Sequence, residues 1–187
     1  NKGKDGTEYL ELLTITTVYN DQGEVDRRIA LFSDITARKK AEDLAWHHAN
    51  FDSLTGLPNR RLFREHLSRA LERADEGQEK LALIFMDLDD FKEVNDQSGH
   101  SQGDKLLKAA GSRVRGCLRE SDMVSRIGGD EFTVILESLK SEQDVDLISR
   151  NILKSLSSPF HVDGDIFHIS SSIGIAFYPG DANNVED

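Results

Sequence analysis

Two adjacent carboxylates in a glycine-containing turn are the residues of this sequence best placed to do chemistry. Asp130 and Glu131 end the Gly-Gly-Asp-Glu segment at 128–131, and apolar runs lie on both sides of it, at 122–127 and 132–136. Short apolar runs joined by such a turn predict a β-hairpin. Because glycine has no Cβ, the turn allows positive φ angles and close approach of a ligand to the backbone.

A further carboxylate, Asp87, follows a continuous apolar run at 81–86. Such a run predicts a strand that is buried on both faces, with Asp87 at its end and opposite the hairpin. Carboxylate oxygens are the ligands that hard divalent cations prefer. Taken alone, Asp87 is equally well explained as a helix cap. Together with Asp130 and Glu131 it predicts a metal site.

The hydrophobic pattern also predicts the elements that position these residues. A helix from about Gly99 to Cys117 would carry Asp104 in its first turn, where a negative charge suits the helix dipole. A second amphipathic helix is predicted at 142–156, followed by a hairpin with a long inner strand at 166–178. The expected fold is α/β (α+β), a mainly antiparallel sheet of about five strands flanked by helices.

The first fifty residues have a different pattern. Apolar and β-branched runs at 7–18 and 29–32 lie on either side of a turn at 20–23, which predicts a β-hairpin. Residues 36–50 carry apolar side chains at helical spacing over about two heptads. A helix of that length is marginal alone and suits pairing with a second copy.

Composition excludes several classes of protein. A net charge of −11 argues against a nucleic-acid polymer as partner, since phosphate backbones require clustered Lys and Arg. The same acidity is compatible with a metal-dependent nucleotide enzyme. No apolar run approaches the roughly 20 residues of a membrane span, and the lone Cys117 excludes a disulfide framework.

Several motifs together resemble the GGDEF family, the diguanylate cyclases. The segment 126–132, Arg-Ile-Gly-Gly-Asp-Glu-Phe, contains the signature of that family, and the loop 52–60 resembles the segment that opens its domains. Residues 91–96 after the acidic strand end and the Arg-x-x-Asp pattern at 119–122 also match, in family order and spacing. The resemblance covers about residues 50–187 and implies a fold similar to the nucleotidyl-cyclase and polymerase palm.

The resemblance implies a reaction. Diguanylate cyclases condense two GTP molecules into cyclic di-GMP with release of pyrophosphate, as homodimers in which each protomer holds one GTP. Mg²⁺ or Mn²⁺ is implied, with Asp87, Asp130 and the Leu88 carbonyl as ligands and Glu131 close by. Such a metal lowers the pKa of a hydroxyl nucleophile and stabilises charge on the transferred phosphoryl group.

The same resemblance implies the remaining site residues. Asn95 and Asp104 correspond to guanine readers, because an amide and a carboxylate can pair with the donor-rich edge and the O6 acceptor of guanine. Further residues implied to meet the substrate are Phe91, Lys92, His100, Gly128 and Gly129. The implied inhibitory site for the cyclic di-GMP product consists of Arg119, Asp122 and Arg150.

The domain organisation expected from these resemblances has three parts. Residues 1–35 resemble the C-terminal strands of a PAS/PAC sensor domain, although an ordinary hairpin is the alternative. Residues 36–50 would be a signalling linker helix, and 51–187 the GGDEF domain. The family domain continues with a helix and strand whose basic residues hold phosphates. We therefore expect the chain to end before these residues. This polypeptide by itself could then be inactive even if the parent protein is a cyclase.

Two kinds of function remain open at this point. One is a cyclase in the cytoplasm, with membrane tethering of a parent protein left open. The alternative is a catalytically silent module that senses GTP or cyclic di-GMP. The intact signature, together with Asp87, Asn95 and Asp104, favours the enzyme, because receptors of this family usually lose one of these residues.

Overall fold

The computed structural model describes residues 1, 6–77 and 79–181, which fall into two compact units divided between Ala49 and Asn50. The N-terminal unit contains β1 (Glu11–Tyr19), β2 (Val25–Asp34) and most of α1 (Thr36–Asn50). The C-terminal unit contains α2 (Arg60–Gly77), β3 (Leu81–Leu88), α3 (Phe91–Ser98), α4 (His100–Gly116), β4 (Met123–Gly128), β5 (Glu131–Leu136), α5 (Glu142–Leu156), β6 (Phe160–Val162), β7 (Asp165–Phe167) and β8 (Ser171–Tyr178).

The N-terminal unit confirms the predicted hairpin and helix. Asn20 closes the turn, because its side-chain oxygen accepts the backbone N–H groups of Gln22 and Glu24. The second strand begins at Val25, before the predicted start at residue 29. Its backbone pairing with β1 extends through charged residues, whose side chains can remain in solvent. Both faces of the hairpin expose large apolar side chains, at Leu12, Leu13, Ile15, Ile29, Leu31 and Phe32.

The sheet of the C-terminal unit has the strand order β4-β5-β3-β8, and every neighbouring pair is antiparallel. The predicted mixed fold with an antiparallel central sheet is therefore confirmed. The prediction that β3 is buried on both faces is wrong near its end, where Phe85 is 43% exposed. An antiparallel sheet needs only one covered face, and here that face carries Ala82, Ile84, Met86 and Leu88.

The prediction of a long inner strand at 166–178 is also wrong. The β6-β7 hairpin ends at Phe167, and a separate strand, β8, begins at Ser171 and pairs with β3. Between them the chain places Ile169 in the core, where it is 8% exposed. Burial of this side chain interrupts the backbone ladder. Among the described residues the main sheet has four strands, where about five were predicted.

The helices α3, α4 and α5 surround the larger core, whereas α2 covers a second cluster on the other side of β5. The helix predicted at 142–156 is confirmed. Asp104 is the fifth residue of α4, one position beyond the first turn that was predicted for it. Helix α2 begins after Asn59, whose side-chain oxygen accepts the backbone N–H groups of Arg61 and Leu62. Within the described residues, no helix combines the length and apolar character needed to cross a membrane.

Arg113 of α4 connects two helices by binding the C-terminal end of α5. Its guanidinium donates to the carbonyls of Ser155 (2.8 Å), Ser158 (2.5 Å) and Pro159 (2.6 Å). It also lies 3.5 Å from the ring centre of Phe160. The last carbonyls of a helix lack intrahelical donors and attract cations. Arg113 therefore satisfies the Ser155 carbonyl in the last turn of α5 and two carbonyls that follow it, while the hydroxyls of Ser157 and Ser158 donate to the carbonyls of Leu153 and Lys154.

We expect Arg113→Met to lower the free energy of unfolding by about 2 kcal/mol, because three carbonyls lose a charged donor. Urea unfolding followed by circular dichroism measures this loss. The matched control is Lys108→Met on the exposed surface of the same helix, which should change stability by no more than about 0.5 kcal/mol. Equal stability of the two variants would contradict the assigned role of Arg113.

Glu137, just beyond β5, makes stability depend on pH. Burial by itself would raise the pKa of its carboxyl group. Hydrogen bonds from Arg73 (2.6 Å) and His66 (2.7 Å) outweigh burial and hold that pKa below its ordinary value. A carboxylate with a lowered pKa in the folded state stabilises the fold above its unfolded pKa. That stabilisation is lost as the pH falls through the folded pKa.

We therefore expect the free energy of unfolding to decrease as the pH falls below the ordinary value of 4.5, and to decrease less steeply in Glu137→Gln. At neutral pH the variant should already be less stable by about 1–2 kcal/mol. Urea unfolding at a series of pH values measures both effects. Exposed Glu76→Gln serves as the control, and the same pH dependence in Glu137→Gln and wild type would disprove the linkage.

Candidate active site

The hairpin turn that carries the two carboxylates is formed as predicted. Gly128 pairs with Glu131, so Gly129 and Asp130 are the turn residues, and a bulge at Ile127 precedes them. Gly129 has φ 51°, in the left-handed region that favours glycine, whereas Gly128 is extended. Apart from the glycine itself and its two chain neighbours, no described residue has an atom within 4 Å of the place where a Cβ would stand at either glycine. The turn is therefore open to an approaching ligand.

Arg126 of β4 holds this turn in place. Its guanidinium donates to the carbonyl of Gly129 through Nε (2.9 Å) and Nη2 (2.7 Å). A third N–H, on Nη1, donates to Asp52 at 2.8 Å, and the two side chains are only 12% and 21% exposed. Asp52 in turn accepts both the backbone N–H and the hydroxyl of Thr55. Arg126 thereby connects the loop before α2 with the turn that carries Asp130 and Glu131.

Sequence reasoning did not predict the Arg126–Asp52 pair. A signal was present, because Arg126 is a charged residue inside an apolar run, and such a residue must find a partner when it is buried. Its partner lies 74 residues away in sequence. No local spacing rule connects two positions so far apart.

Sheet register brings Asp87 directly opposite Glu131 on neighbouring strands. Directly opposed residues point to the same face of the sheet, with Cβ atoms about 5 Å apart, and like charges in that arrangement repel. Partial burial raises the pKa of Asp87, and the negative charges of Asp130, Glu131 and Asp89 raise it further. The structure therefore groups the carboxylates predicted for the metal site.

Asp89, the neighbouring carboxylate, is bound by the hydroxyls of two serines that the sequence analysis did not identify. Its carboxylate accepts hydrogen bonds from Ser170 (2.5 Å) and Ser172 (2.7 Å), which hold its pKa below the ordinary value. Its backbone N–H also donates to the carbonyl of Ser170. Asp89 thus fastens the end of β3 to the start of β8.

The donor set fits a divalent metal bound together with a nucleotide. Within residues 1, 6–77 and 79–181, no three His, Cys or acidic side chains converge closely enough to hold an ion by themselves. Mg²⁺ is usually bound by one or two carboxylates together with substrate phosphates, so Asp87 and Asp130 are sufficient in number. Leu88 buries its side chain, 1% exposed, and has only its carbonyl to offer a metal.

Helix packing brings the two predicted guanine readers near each other. A Cβ at Gly103 would stand closer than 3.0 Å to Oδ1 of Asn95, so Asn95 of α3 lies directly against α4 at Gly103. Asp104 is the next residue of α4 and is exposed. The side chain of Phe91 is buried in the main core, at 7% exposure. Among the remaining predicted substrate contacts, the exposed side chains are Lys92 and His100.

The predicted inhibitory site is brought together only in part. Asp122 is buried, and its Oδ2 atom accepts the backbone N–H of Arg119 at 3.0 Å. The side chain of Arg119 is exposed. Arg150, on α5, binds Asp146 one turn earlier at 2.8 Å, and no contact in the described part of the chain joins it to the other two residues.

Comparison with known proteins supports the same assignment. Residues 49–187 match the family described as "Diguanylate cyclase, GGDEF domain". The diguanylate cyclase TpbB of Pseudomonas aeruginosa is 50% identical over 138 residues, which make up 73% of this chain. The chain spans about a third of that relative, 32% of its length.

Solved structures agree with the fold. A truncated TpbB comprising only the GGDEF domain has a TM-score of 0.70 and 50% identity, and the likeness covers 72% of this chain and 78% of that one. The coiled coil and GGDEF domain of DgcB from Caulobacter crescentus, solved in complex with c-di-GMP, has a TM-score of 0.72 and 26% identity over 80% of both chains. The resemblance seen in the sequence is thus confirmed, and the chain belongs to the GGDEF family of diguanylate cyclase domains.

Proposed function

We propose that this domain is an active diguanylate cyclase that condenses two GTP molecules into cyclic di-GMP. The observation that supports this most directly is the opposition of Asp87 and Glu131 beside Asp130. Like charges held together at a strand end cost stability unless a cation neutralises them. Three carboxylates beside an open turn therefore support the proposal of a site for a metal bound together with nucleotide phosphates.

In the proposed reaction, the 3′-hydroxyl of each GTP attacks the α-phosphate of the other. Each attack forms a P–O3′ bond, breaks the bond between the α- and β-phosphates and releases pyrophosphate, and the hydroxyl proton passes to solvent or to a carboxylate. Two such steps close the cyclic dinucleotide. Because one domain holds one GTP, the reaction requires a homodimer.

The residues of this chain have separate tasks in that reaction. Asn95 and Asp104 bind guanine, and the open turn at Gly128 and Gly129 lets phosphates meet the backbone. Asp87 and Asp130 would hold Mg²⁺ or Mn²⁺. When bound, the metal lowers the pKa of the attacking hydroxyl and neutralises charge on the phosphates.

The backbone around Phe91 and Lys92, together with exposed His100, is proposed to contact the phosphates and sugar. The Leu88 carbonyl is proposed to complete the metal site, with Glu131 beside it. Product inhibition is proposed at Arg119 and Asp122. In support, the guanidinium of Arg119 is exposed and suited to a bidentate contact with guanine or phosphate. Arg150 is proposed to join this site, and its support is the family resemblance alone.

Residues 1–35 are proposed to be the C-terminal part of a PAS/PAC sensor domain and 36–50 its linker helix, with 51–187 as the cyclase domain. In support, a two-stranded hairpin is marginal alone, and this one exposes large apolar side chains on both faces. The helix also exposes Leu44, on the apolar stripe predicted to pair with a second copy.

The test is production of cyclic di-GMP from GTP and Mg²⁺, separated by chromatography, with GTP binding measured in parallel by calorimetry. The full-length wild-type protein should form product and its Asp130→Asn variant should not. The competing function is a silent nucleotide sensor. Tight GTP or cyclic di-GMP binding by the folded, dimeric full-length protein without any product would overturn the cyclase proposal in favour of that sensor.

A further inference from the structure

Gly103 occupies a position in α4 where helix propensity alone would favour another residue. It is the fourth residue of α4, is buried, and does not have positive φ. Alanine is favoured over glycine in helix interiors, because glycine loses more backbone freedom on folding. The reason for a glycine at this position must therefore be the space around it.

The space is occupied by the proposed guanine reader. A Cβ at Gly103 would stand closer than 3.0 Å to Oδ1 of Asn95, 3.0 Å from its Cγ and 3.1 Å from Cζ of Phe91. Phe91 is packed in the main core and has little room to move. Asn95 is only half-buried, so its side chain is the group that would turn away.

Two other glycines of the same helix show that this arrangement is specific to Gly103. A Cβ at Gly111 would stand 2.9 Å from Cδ1 of Leu57 and 3.4 Å from Cε1 of Phe132, both apolar groups. A Cβ at Gly116 would meet nothing within 4 Å. Of these three positions, only Gly103 lies against a side chain of the proposed substrate site.

We propose that Gly103 is a positioning residue for base recognition: the absence of a side chain there holds the Asn95 amide beside Asp104 and so sets the preference for guanine over adenine. This proposal rests on the proposed function, since it assumes that Asn95 and Asp104 read guanine. Hydrogen-bond recognition depends on placement to within a fraction of an ångström. A displacement of about 1 Å can cost about a hundred-fold in activity, and a hydrogen-bonding site rejects a base that leaves its groups unpaired.

The first experiment compares the binding of GTP and ATP to wild type, Gly103→Ala and Gly111→Ala by calorimetry. Gly103→Ala should weaken GTP binding by about ten-fold or more while leaving the weaker ATP binding unchanged, so that the preference for GTP falls. Gly111→Ala adds the same methyl group against apolar neighbours and should keep the wild-type preference. An unchanged GTP preference in folded Gly103→Ala would overturn the proposal.

A double-mutant cycle separates displacement of Asn95 from general distortion of the helices. In an Asn95→Ala background the displaced side chain is absent, so Gly103→Ala should have little further effect on GTP binding. If Gly103→Ala weakens binding equally in both backgrounds, it acts through Phe91 or the helix and the proposal is wrong.

A third measurement does not depend on nucleotide binding. The side-chain NH₂ signals of Asn95 in a ¹⁵N-labelled, ligand-free protein should move in Gly103→Ala and stay in place in Gly111→Ala. If these signals move as expected but wild type shows no preference for GTP over ATP, the proposed function fails and the packing role of Gly103 stands. If they do not move, the positioning role itself is disproved.

Discussion

An Asp87→Asn variant is expected to lose about a hundred- to a thousand-fold of its cyclic di-GMP production. Asparagine keeps the size of the side chain but lacks the negative charge that would hold a divalent cation. Asp130 alone would then have to supply the side-chain charge for that ion. The measurement is product formation at saturating GTP over a range of Mg²⁺ concentrations, and the apparent Mg²⁺ affinity should fall together with the rate.

The same substitution is expected to leave the free energy of metal-free unfolding unchanged or to raise it by up to about 1 kcal/mol. Asp87 lies opposite Glu131 and close to Asp130, and these charges repel it in the absence of metal. Removing one charge relieves that repulsion. A loss of activity combined with a gain in stability is typical of a residue kept for function.

Asp89→Asn is the matched control, because it makes the same chemical change two residues away. Asp89 accepts hydrogen bonds from Ser170 and Ser172 and is stabilised as a carboxylate. Its replacement should therefore lower stability by about 1 kcal/mol. If Asp87→Asn destabilises the metal-free protein as much as Asp89→Asn does, Asp87 has a structural role and the metal site is wrongly assigned.

Arg126→Lys is expected to lower the free energy of unfolding by about 2–3 kcal/mol and product formation by at least about ten-fold. Lysine keeps the positive charge but has no planar fork, so it cannot donate to the Gly129 carbonyl through two nitrogens and also reach Asp52. The turn that carries Asp130 would then be free to move. Urea unfolding and initial rates measure the two effects.

The control is Arg61→Lys in the exposed first turn of α2, which should change stability by no more than about 0.5 kcal/mol and leave the rate within a few-fold. An Asp52→Asn variant tests the pair itself. Because Asp52 and Arg126 share one contact, the double variant should lose less stability than the sum of the single variants. If the losses in free energy of unfolding are additive, Asp52 and Arg126 do not stabilise each other. Wild-type turnover by Arg126→Lys would show that the contacts of Arg126 are not needed for the reaction.

The sequence by itself determined the family, the fold class and the chemical character of the site. Apolar periodicity predicted α5 with its observed bounds, and the turn at 128–131 with its flanking strands. These features are local, because a few neighbouring residues are enough to specify a helix face or a turn. The carboxylates at the turn and at the end of β3 could be recognised for the same reason.

Only the tertiary structure decided which distant residues meet. Asp87 lies opposite Glu131, and Arg126 binds Asp52. Asn95 packs against Gly103. Strand β8 pairs with β3 and does not extend the β6-β7 hairpin. Each of these pairings depends on how whole apolar faces pack and on the register of the strands. A one-residue change of register would turn every side chain of a strand to the other face. Local spacing carries no information about such partners, and so the relative positions of the candidate site residues had to come from the fold.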